Sequence, residues 1–459
     1  MTGANFLLEA APYAVGSSGS RILIDCGLIQ GEQVADQENR EPFPYDAASI
    51  DALVITHAHL DHVGRIPKLV REGFKGSIYS TPETRELAEL VLTDAAGILD
   101  MEARQLGLEP LYGAVDVQNV FPLWKNIPYH EETQIAEGIS IFLKDAGHIL
   151  GSAMVEIKVR RAAEPSASPS SASAISILFT GDLGNSPAPL LRDTEDIGDV
   201  DYIVMESVYG DRNHPPKDQR TKELEQIIKD TIGRGGTVVI PAFSVDRTQV
   251  ILYELNNMVE EGRIPSVPVF VDSPLAIKAT QVYRSGTGLF NDRVQAQIAR
   301  GDDVFAFPRL DFAVSQSESR DIEQMKGAKI ILAGSGMSIG GRVIAHEEHY
   351  LPDPNNTILL VGYQTTGSLG RQLSDGNKKV RIHGKDVRVR AHIHTLYGYS
   401  AHRDSDHLVG LVSTATAGLK GVFVAMGEPG SSMHLAQRLN DELDAKAIVP
   451  DRGKVYPLI

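Results

Sequence analysis

One short stretch of the chain concentrates side chains that bind transition metals. It follows the apolar run Asp51–Ile55, which predicts a buried strand, and it reads Thr56-His57-Ala58-His59-Leu60-Asp61-His62-Val63-Gly64. Three imidazoles and one carboxylate so close together supply the nitrogen and oxygen donors that Zn2+ accepts. His57 and His59 lie on one side of an extended segment, so they can hold one ion together. Asp61 and His62 point elsewhere if a helix begins there, which suits a second ion. A polar surface loop is the alternative, and this density of titrating groups disfavours it.

Two further candidate ligands also stand where predicted strands end. His148 follows the strand-like run Ile139–Leu143, and Asp182 follows the run Ile175–Leu178. Since each candidate ends a hydrophobic strand, one edge of a sheet can bring all of them together. We therefore expect both residues to join the metal centre.

The ordered set of donors resembles the metallo-β-lactamase superfamily. The resemblance implies two zinc ions and a specific distribution of the donors between them. The implied ligands are His57, His59 and His148 for one zinc ion, Asp61 and His62 for the other, and Asp182 as the bridge. It also implies that Asp25, near the end of the strand Arg21–Ile24, steadies a metal-binding histidine from behind. A turn aspartate before Gly27 is the alternative interpretation of Asp25.

The composition predicts an ordinary globular protein with two or three domains. The chain has 459 residues, of which 42% are hydrophobic, so it can build cores of useful size. Its single cysteine, Cys26, excludes an internal disulfide and fits a reducing compartment. The N-terminus lacks the pattern of a signal peptide, and no apolar run approaches the length of a membrane span. We expect a cytoplasmic enzyme without a membrane partner.

The charge of the chain restricts any contact with nucleic acid to a local surface. A net charge of -16 opposes broad affinity for a phosphate backbone. Between Lys378 and His394, however, apolar and basic residues alternate, which predicts a hairpin that turns at Gly384-Lys385-Asp386. An ordinary solvated face is an equally good interpretation of this pattern. Its candidate RNA contacts are Lys379, Arg381, Arg388 and Arg390.

Beyond residue 208 the pattern changes to alternating helices and strands. Helices are predicted at Gln219–Ile232 and Thr248–Glu261, and buried strands at Thr237–Ile240, Lys329–Ala333 and Thr357–Val361. Strands that alternate with helices indicate a parallel sheet with its own core. We interpret residues 208–350 as a domain inserted into the first one.

Several motifs in this region sharpen the resemblance to one branch of the superfamily. They resemble the β-CASP branch, which includes bacterial and archaeal ribonucleases, and they cover nearly the whole chain in the right order. The motifs are Glu206-Ser207-Val208-Tyr209-Gly210-Asp211-Arg212, Pro241-Ala242-Phe243-Ser244-Val245-Asp246-Arg247-Thr248-Gln249, Gly334-Ser335-Gly336-Met337, Val361-Gly362-Tyr363-Gln364 and Gly398-Tyr399-Ser400-Ala401-His402.

The resemblance implies the fold class and the domain limits. We expect an α/β protein, an αββα metallo-β-lactamase sandwich with an inserted α/β β-CASP domain. Residues 1–207 would form the first part of the sandwich, 208–350 the insert, and 351–459 the second part, with an RNA-specificity region at about 378–428.

The resemblance also implies the groups that act on the substrate. Two zinc ions that share Asp182 would hold a hydroxide at neutral pH, and this hydroxide would attack phosphorus in line. The leaving sugar oxygen needs a proton, which His402 would supply. Glu206 would accept the other ring N–H of His402 and favour its protonated form. Without the resemblance, Glu206 is a surface acid and His402 is a histidine satisfied by its neighbours.

One motif departs from the family pattern. Just before a Gly-Glu pair the family normally places a metal-binding histidine, but this chain has Met426 before Gly427-Glu428. A thioether is a soft, neutral and poor ligand for zinc. We therefore expect the second zinc ion to bind more weakly. His434 lies near in sequence, and the resemblance gives no reason to assign it as a replacement.

Further substrate contacts are expected outside the metal centre. Ser335 and Gly336 form a turn after a strand, where free backbone N–H groups can meet a phosphate, although such turns also merely connect elements. Arg247, together with the basic face of the predicted hairpin, could guide RNA, or it could be a structural ion-pair partner.

We expect a zinc-dependent ribonuclease that cleaves single-stranded RNA. The alternatives are an RNA-binding protein with an impaired metal site, for which Met426 is the only support, and a hydrolase of small esters or thioesters. DNA stays open as a substrate because the departing motif is where RNA and DNA branches of the family differ. The choice between internal and 5′ exonucleolytic cleavage, and that between a monomer and a homodimer, also stay open.

Overall fold

The computed structural model describes residues 3–11, 19–30, 35–160, 174–416 and 418–459. The chain divides into two compact units. The first unit comprises residues 1–188, 192–213 and 402–459, and the second comprises 189–191 and 214–401. The second unit therefore interrupts the sequence of the first.

The first unit begins with ten strands and five helices among its described residues. The strands are β1 Phe6–Ala10, β2 Ser20–Ile24, β3 Ala52–Val54, β4 Ser77–Ser80, β5 Trp124–Asn126, β6 Thr133–Ala136, β7 Ile139–Asp145, β8 Ala153–Arg160, β9 Ala174–Phe179 and β10 Tyr202–Met205. The helices are α1 Ala35–Arg40, α2 Leu60–Val63, α3 Ile66–Arg71, α4 Pro82–Leu106 and α5 Ala114–Val120.

The second unit alternates helices with strands. Its elements are α6 Lys217–Gly233, β11 Thr237–Pro241, α7 Arg247–Glu260, β12 Val269–Asp272, α8 Pro274–Ser285, α9 Asp292–Ala299, β13 Leu310–Phe312, α10 Gln316–Gln324, β14 Lys329–Ala333, α11 Val343–Tyr350, β15 Thr357–Val361, α12 Leu369–Ser374, β16 Lys379–Ile382, β17 Lys385–Arg388 and β18 His392–Leu396. The chain then returns to the first unit with α13 Ser405–Val412, β19 Gly421–Val424, α14 Pro429–Leu443 and β20 Ala447–Ile448.

Two sheets pack face to face in the first unit. One has the strand order β1-β2-β3-β4-β5, and the other has the order β20-β19-β10-β9-β8-β7-β6. Along β7 every second residue is buried, as expected for a strand with one face in a core. The core between the sheets joins Ile24 and Val54 of the first sheet to Leu143 and Val204 of the second. Burying such a side chain completely contributes about 1.5–3 kcal/mol.

Helices cover the outer faces of this sandwich. Leu408 of α13 and Leu435 of α14 pack against Ile203 and Val422 on the far side of the seven-stranded sheet. Helix α4 contacts β5 of the other sheet. Thr81 caps this helix, Pro82 is its first residue, and it runs to Leu106. The layers confirm the expected αββα sandwich.

The second unit is built on one parallel sheet with the strand order β13-β12-β14-β11-β15-β18. Val239, Ile331 and Ile358 of its central strands lie in a continuous apolar core. The parallel sheet was predicted from the alternation of helices and strands. The unit extends to residue 401, beyond the expected limit at 350, because β15 and β18 pair with this sheet.

The predicted basic hairpin exists, but it is shorter and turns earlier than expected. Strands β16 and β17 pair from Lys379↔Arg388 to Ile382↔Lys385, so the turn is His383-Gly384 and not Gly384-Lys385-Asp386. Both turn residues have positive φ angles, 47° and 77°, as a two-residue hairpin loop requires. Residues 392–394, which the alternation had assigned to the hairpin, instead belong to β18, the edge strand of the parallel sheet.

None of the described helices combines the length and the apolar character that are needed to cross a membrane.

Candidate metal centre

The candidate ligands lie at one edge of the sandwich because their strands end there. Strands β7 and β9 each pair antiparallel with β8, and β9 pairs parallel with β10, so these three strands share one direction. Their carboxyl ends lead to His148, Asp182 and Glu206 in turn. Strand β3 of the other sheet leads to His57, and His59 is the residue that precedes helix α2.

The first cluster joins three histidines and one aspartate. The ring nitrogen Nε2 of His57 lies 3.1 Å from Nδ1 of His59, which lies 3.2 Å from Nε2 of His148. Atom Oδ2 of Asp182 lies 3.5 Å and 3.6 Å from the nitrogens of His57 and His148. Burial lowers the pKa of His57 and of His148 well below the usual value, and that of His59 to about 4. All three rings are therefore neutral near pH 7, which is the form that binds a metal.

The second cluster contains Asp61, His62 and the same Asp182. Nitrogen Nε2 of His62 faces Oδ1 of Asp182 at 3.3 Å, so the two carboxylate oxygens of Asp182 face different clusters. Burial disfavours a charged ring, but Asp182 and Asp25 outweigh it and raise the pKa of His62 well above the usual value. A divalent cation can replace the proton on Nε2 of His62, because the cation also balances the negative charge of the Asp182 carboxylate.

Asp25 stands behind the second cluster, as the resemblance implied. Its Oδ2 accepts from Nδ1 of His62 at 2.7 Å and from the hydroxyl of Thr56 at 2.9 Å, while its Oδ1 accepts from the Thr56 backbone N–H at 2.8 Å. The carboxylate thus holds the proton on Nδ1 and leaves Nε2 for a metal. Thr56 was not predicted as a site residue, although its place between the strand and His57 was a usable signal.

A third cluster places His402 beside Glu206 and Asp182. Nitrogen Nδ1 of His402 lies 3.3 Å from the Glu206 carboxylate and 3.9 Å from Asp182. Burial opposes the charged imidazole, but Glu206 and Asp182 raise the pKa of His402 to about 9. Burial also raises the pKa of Glu206, whose Oε1 accepts from the Leu183 N–H at 2.6 Å. A backbone bridge to Gly184 positions the main chain at His402.

The donor set fits zinc. Ligand atoms about 2.0–2.1 Å from one tetrahedral ion lie about 3.3 Å from one another, close to the observed separations of the three ring nitrogens. Neutral imidazoles and carboxylates are ligands that zinc accepts. The first and second clusters share the carboxylate of Asp182. The structure therefore brings together all six residues that were predicted as ligands.

Met426 lies at the same sheet edge, but its thioether is not one of the imidazole and carboxylate donors that make up these clusters. It follows β19, which pairs parallel with β10, the strand that leads to Glu206. It has a positive φ of 59°. His434, the other histidine near in sequence, is exposed on α14 and is absent from the described clusters. The second cluster thus has three candidate protein ligands, against four in the first.

The predicted phosphate turn is only partly available. The backbone N–H of Ser335 donates to the carbonyl of Gly340 at 3.2 Å, and its hydroxyl accepts from the Ile339 N–H at 3.1 Å. The expectation of a free N–H at Ser335 is therefore wrong, because the turn closes on itself. Gly336 is buried. Arg247 is 7% exposed and interacts with Asp246, so its burial favours the structural alternative over contact with RNA.

The basic residues of the hairpin are exposed on one face. Val380 and Val387 bury the other face in the core of the second unit. Lys379 forms an ion pair with Asp386 at 2.7 Å, which reduces the attraction of its ammonium group for an anionic ligand. The four predicted RNA contacts, Lys379, Arg381, Arg388 and Arg390, are all exposed, as are Lys378 and Lys385.

Comparisons with known proteins agree with this geometry. Residues 15–164 match the metallo-beta-lactamase superfamily domain, 248–373 the Beta-Casp domain, and 386–450 the Zn-dependent metallo-hydrolase RNA specificity domain. Ribonuclease TTHA0252 of Thermus thermophilus is 36% identical over 407 residues, which are 89% of this chain and 88% of that protein. The chain belongs to the β-CASP branch of the metallo-β-lactamase superfamily. This confirms the family that its motifs had indicated.

Other members of the β-CASP branch cover the chain to a similar extent. The RNase J-like protein of Methanocaldococcus jannaschii is 31% identical over 97% of this chain and 96% of its own length. Transcription termination factor FttA of Methanosarcina mazei is 30% identical over 94% of this chain and 67% of its own length. The similarity thus spans both units of this β-CASP protein.

Proposed function

We propose that this protein is a zinc-dependent ribonuclease that hydrolyses phosphodiester bonds of single-stranded RNA. The observation that carries the proposal is the central position of Asp182. It faces the three-histidine cluster with Oδ2 and His62 with Oδ1, and it lies 3.9 Å from Nδ1 of His402. A pair of metal sites beside a held imidazole is suited to phosphoryl chemistry. The match of residues 386–450 to an RNA specificity domain supports RNA as the substrate.

The residues of the proposed site divide into two tasks. The first task is to hold two zinc ions, which when bound lower the pKa of water toward neutrality and polarise a phosphoryl oxygen. The proposed ligands are His57, His59 and His148 for one ion, Asp61 and His62 for the other, and Asp182 for both.

The second task is to give a proton to the leaving sugar oxygen. Glu206 is fully buried and accepts the Nδ1–H of His402. The imidazolium is stabilised there, and its Nε2–H is the group that we propose as the donor to the leaving oxygen. Asp25 keeps the ring of His62 in the tautomer that binds metal. In this proposal Met426 weakens the second zinc site, since water must replace a protein ligand.

The test is a denaturing gel of end-labelled single-stranded RNA incubated with the zinc-loaded protein. Matched reactions use His59→Ala, a single-stranded DNA of the same sequence, and the control His434→Ala, which removes an exposed histidine outside the clusters. We expect RNA cleavage by the parent and by His434→Ala, and none by His59→Ala. Absence of cleavage by the parent, with zinc shown to be bound, contradicts the proposal and favours an RNA-binding protein or a small-ester hydrolase. The fragment ladder distinguishes internal from 5′ exonucleolytic cleavage.

A further inference from the structure

Three exposed aromatic side chains follow three adjacent strands of the second unit. Phe243, Tyr363 and Tyr397 stand one or two residues beyond the ends of β11, β15 and β18. They are 40%, 36% and 51% exposed, and the other phenylalanine, tyrosine and tryptophan side chains in the described part of the chain are buried or half-buried. Among the described residues, exposure of aromatic rings is therefore confined to one edge of one sheet.

The sheet explains why the three aromatic residues lie together. Strand β15 pairs in parallel with β11 on one side and with β18 on the other, so the three carboxyl ends are neighbours. Adjacent strands are about 4.8 Å apart, so the three strand ends span about 10 Å. The Gly362 N–H, next to Tyr363, donates to the carbonyl of Leu396, next to Tyr397, at 3.1 Å.

Specific contacts hold this edge in place. A methyl group on Gly336 would lie 2.8 Å from Cδ2 of the Phe243 ring and 2.9 Å from the Phe243 backbone nitrogen, so only glycine allows this ring position. The carbonyl of Gly336 accepts from the side chain of Gln364 at 3.1 Å, which ties the loop after β14 to the residue beside Tyr363. The rings thus stand on a backbone that is already ordered.

One exposed cation lies beside the rings. Arg371 is near both Tyr363 and Tyr397, its side chain is 41% exposed, and it forms an ion pair with Asp375 at 2.9 Å. Aromatic faces beside cations are the combination with which proteins bind unpaired nucleotides, because every base has a face that can stack.

We propose that Phe243, Tyr363 and Tyr397 form a stacking surface for two or three consecutive bases of single-stranded RNA. This inference rests on the proposed function and adds to it the residues that contact the bases. Stacking on a ring tolerates every base, so the surface contributes affinity for single strands without selecting a sequence. A duplex, whose bases are already stacked, does not gain from it.

The experiment measures binding of a 12-nucleotide RNA that contains 2-aminopurine, in the His59→Ala background so that the strand stays intact. Phe243→Leu, Tyr363→Leu and Tyr397→Leu keep an apolar side chain and remove the ring, whereas Tyr363→Phe and Tyr397→Phe keep the ring. We expect each leucine variant to bind about 5- to 150-fold more weakly, which corresponds to about 1–3 kcal/mol for one stacked base. The phenylalanine variants should bind like the parent and quench 2-aminopurine as the parent does.

Two controls separate stacking from damage to the fold. An abasic strand of the same length should bind equally to the parent and to all variants, and zinc content should not change. If the leucine variants bind intact RNA as tightly as His59→Ala alone, and the protein with His59 intact cleaves RNA, the stacking surface is refuted and the proposed function stands. If the protein with His59 intact does not cleave RNA, but the leucine variants bind RNA more weakly than His59→Ala alone, the surface stands and the proposed function is refuted.

Discussion

Replacing Asp25 by asparagine should weaken the second zinc site without removing any metal ligand. Oδ2 of Asp25 accepts two hydrogen bonds, from Nδ1 of His62 at 2.7 Å and from the Thr56 hydroxyl at 2.9 Å. Oδ1 accepts the Thr56 backbone N–H at 2.8 Å. The asparagine carbonyl can keep that backbone bond, so its NH2 group then faces His62. An N–H donor at that position moves the ring proton to Nε2, the nitrogen that faces Asp182.

The magnitude follows from the role of such supporting carboxylates. Removing one typically lowers metal affinity about 10- to 100-fold, which corresponds to about 1.4–2.8 kcal/mol. The loss should be confined to the ion bound by Asp61, His62 and Asp182. The three-histidine cluster does not contact Asp25 directly, so its affinity should be unchanged.

The assay is a competition titration of the metal-free protein with zinc and a chromophoric chelator, which resolves two binding steps. Asp51→Asn is the matched control, because Asp51 accepts a backbone N–H at 2.8 Å in the same unit but is exposed and away from the clusters. The urea midpoint of each variant checks that the fold is intact. Equal affinities of Asp25→Asn and the parent at both steps refute the reasoning, and an equal loss at both steps indicates general damage instead.

Three further predictions concern other groups. Met426→His should tighten binding of the second zinc ion, and equal, full occupancy in the variant and the parent by metal analysis would reject a deficit at that position. Glu206→Gln should lower the rate of RNA cleavage about 10²- to 10⁴-fold, the usual contribution of a general acid, while zinc content stays the same; a normal rate in single-turnover assays would exclude Glu206 from proton transfer. Burial raises the pKa of Glu347 to about 8 from its ordinary 4.5, although Ser338 donates to it. The protonated carboxyl therefore makes its whole contribution to the free energy of unfolding below pH 4.5. That free energy falls by about 1.4 kcal/mol for each pH unit between 4.5 and 8. Glu347→Gln should gain urea resistance relative to the parent between pH 5 and 8, and parallel midpoints across that range would contradict the buried ionisation.

Much of the fold was readable because local patterns carried it. The alternation of helices and buried strands after residue 208 predicted the parallel sheet. The limit at 350 failed because β15 and β18 join that sheet through pairing with β11 and with each other, which no local pattern encodes. The hairpin turn moved by one residue because His383 adopts a positive φ, which a sequence pattern assigns to glycine first.

The candidate ligands were predictable for a related reason. His57, His148 and Asp182 each follow a hydrophobic strand, and strands with a common direction end at a common edge. What the sequence could not supply was burial. By its motif Arg247 could be a guide for RNA or a structural ion-pair partner, and it is 7% exposed, whereas Phe243 of the same motif is 40% exposed. Both properties depend on the packing of distant segments, so the stacking surface became visible only in the structure.

The central position of Asp182 limits what a mutation there can teach. Its two oxygens face both metal clusters, and it also lies 3.9 Å from Nδ1 of His402. In the proposed two-zinc site its removal would weaken the binding of both ions and also lower the pKa of His402, so a loss of activity would not identify the cause. Asp25 and Glu206 contact one imidazole each, His62 and His402. Substituting these two separately distinguishes metal binding from proton transfer: a site that works as proposed loses zinc affinity with one and keeps it with the other.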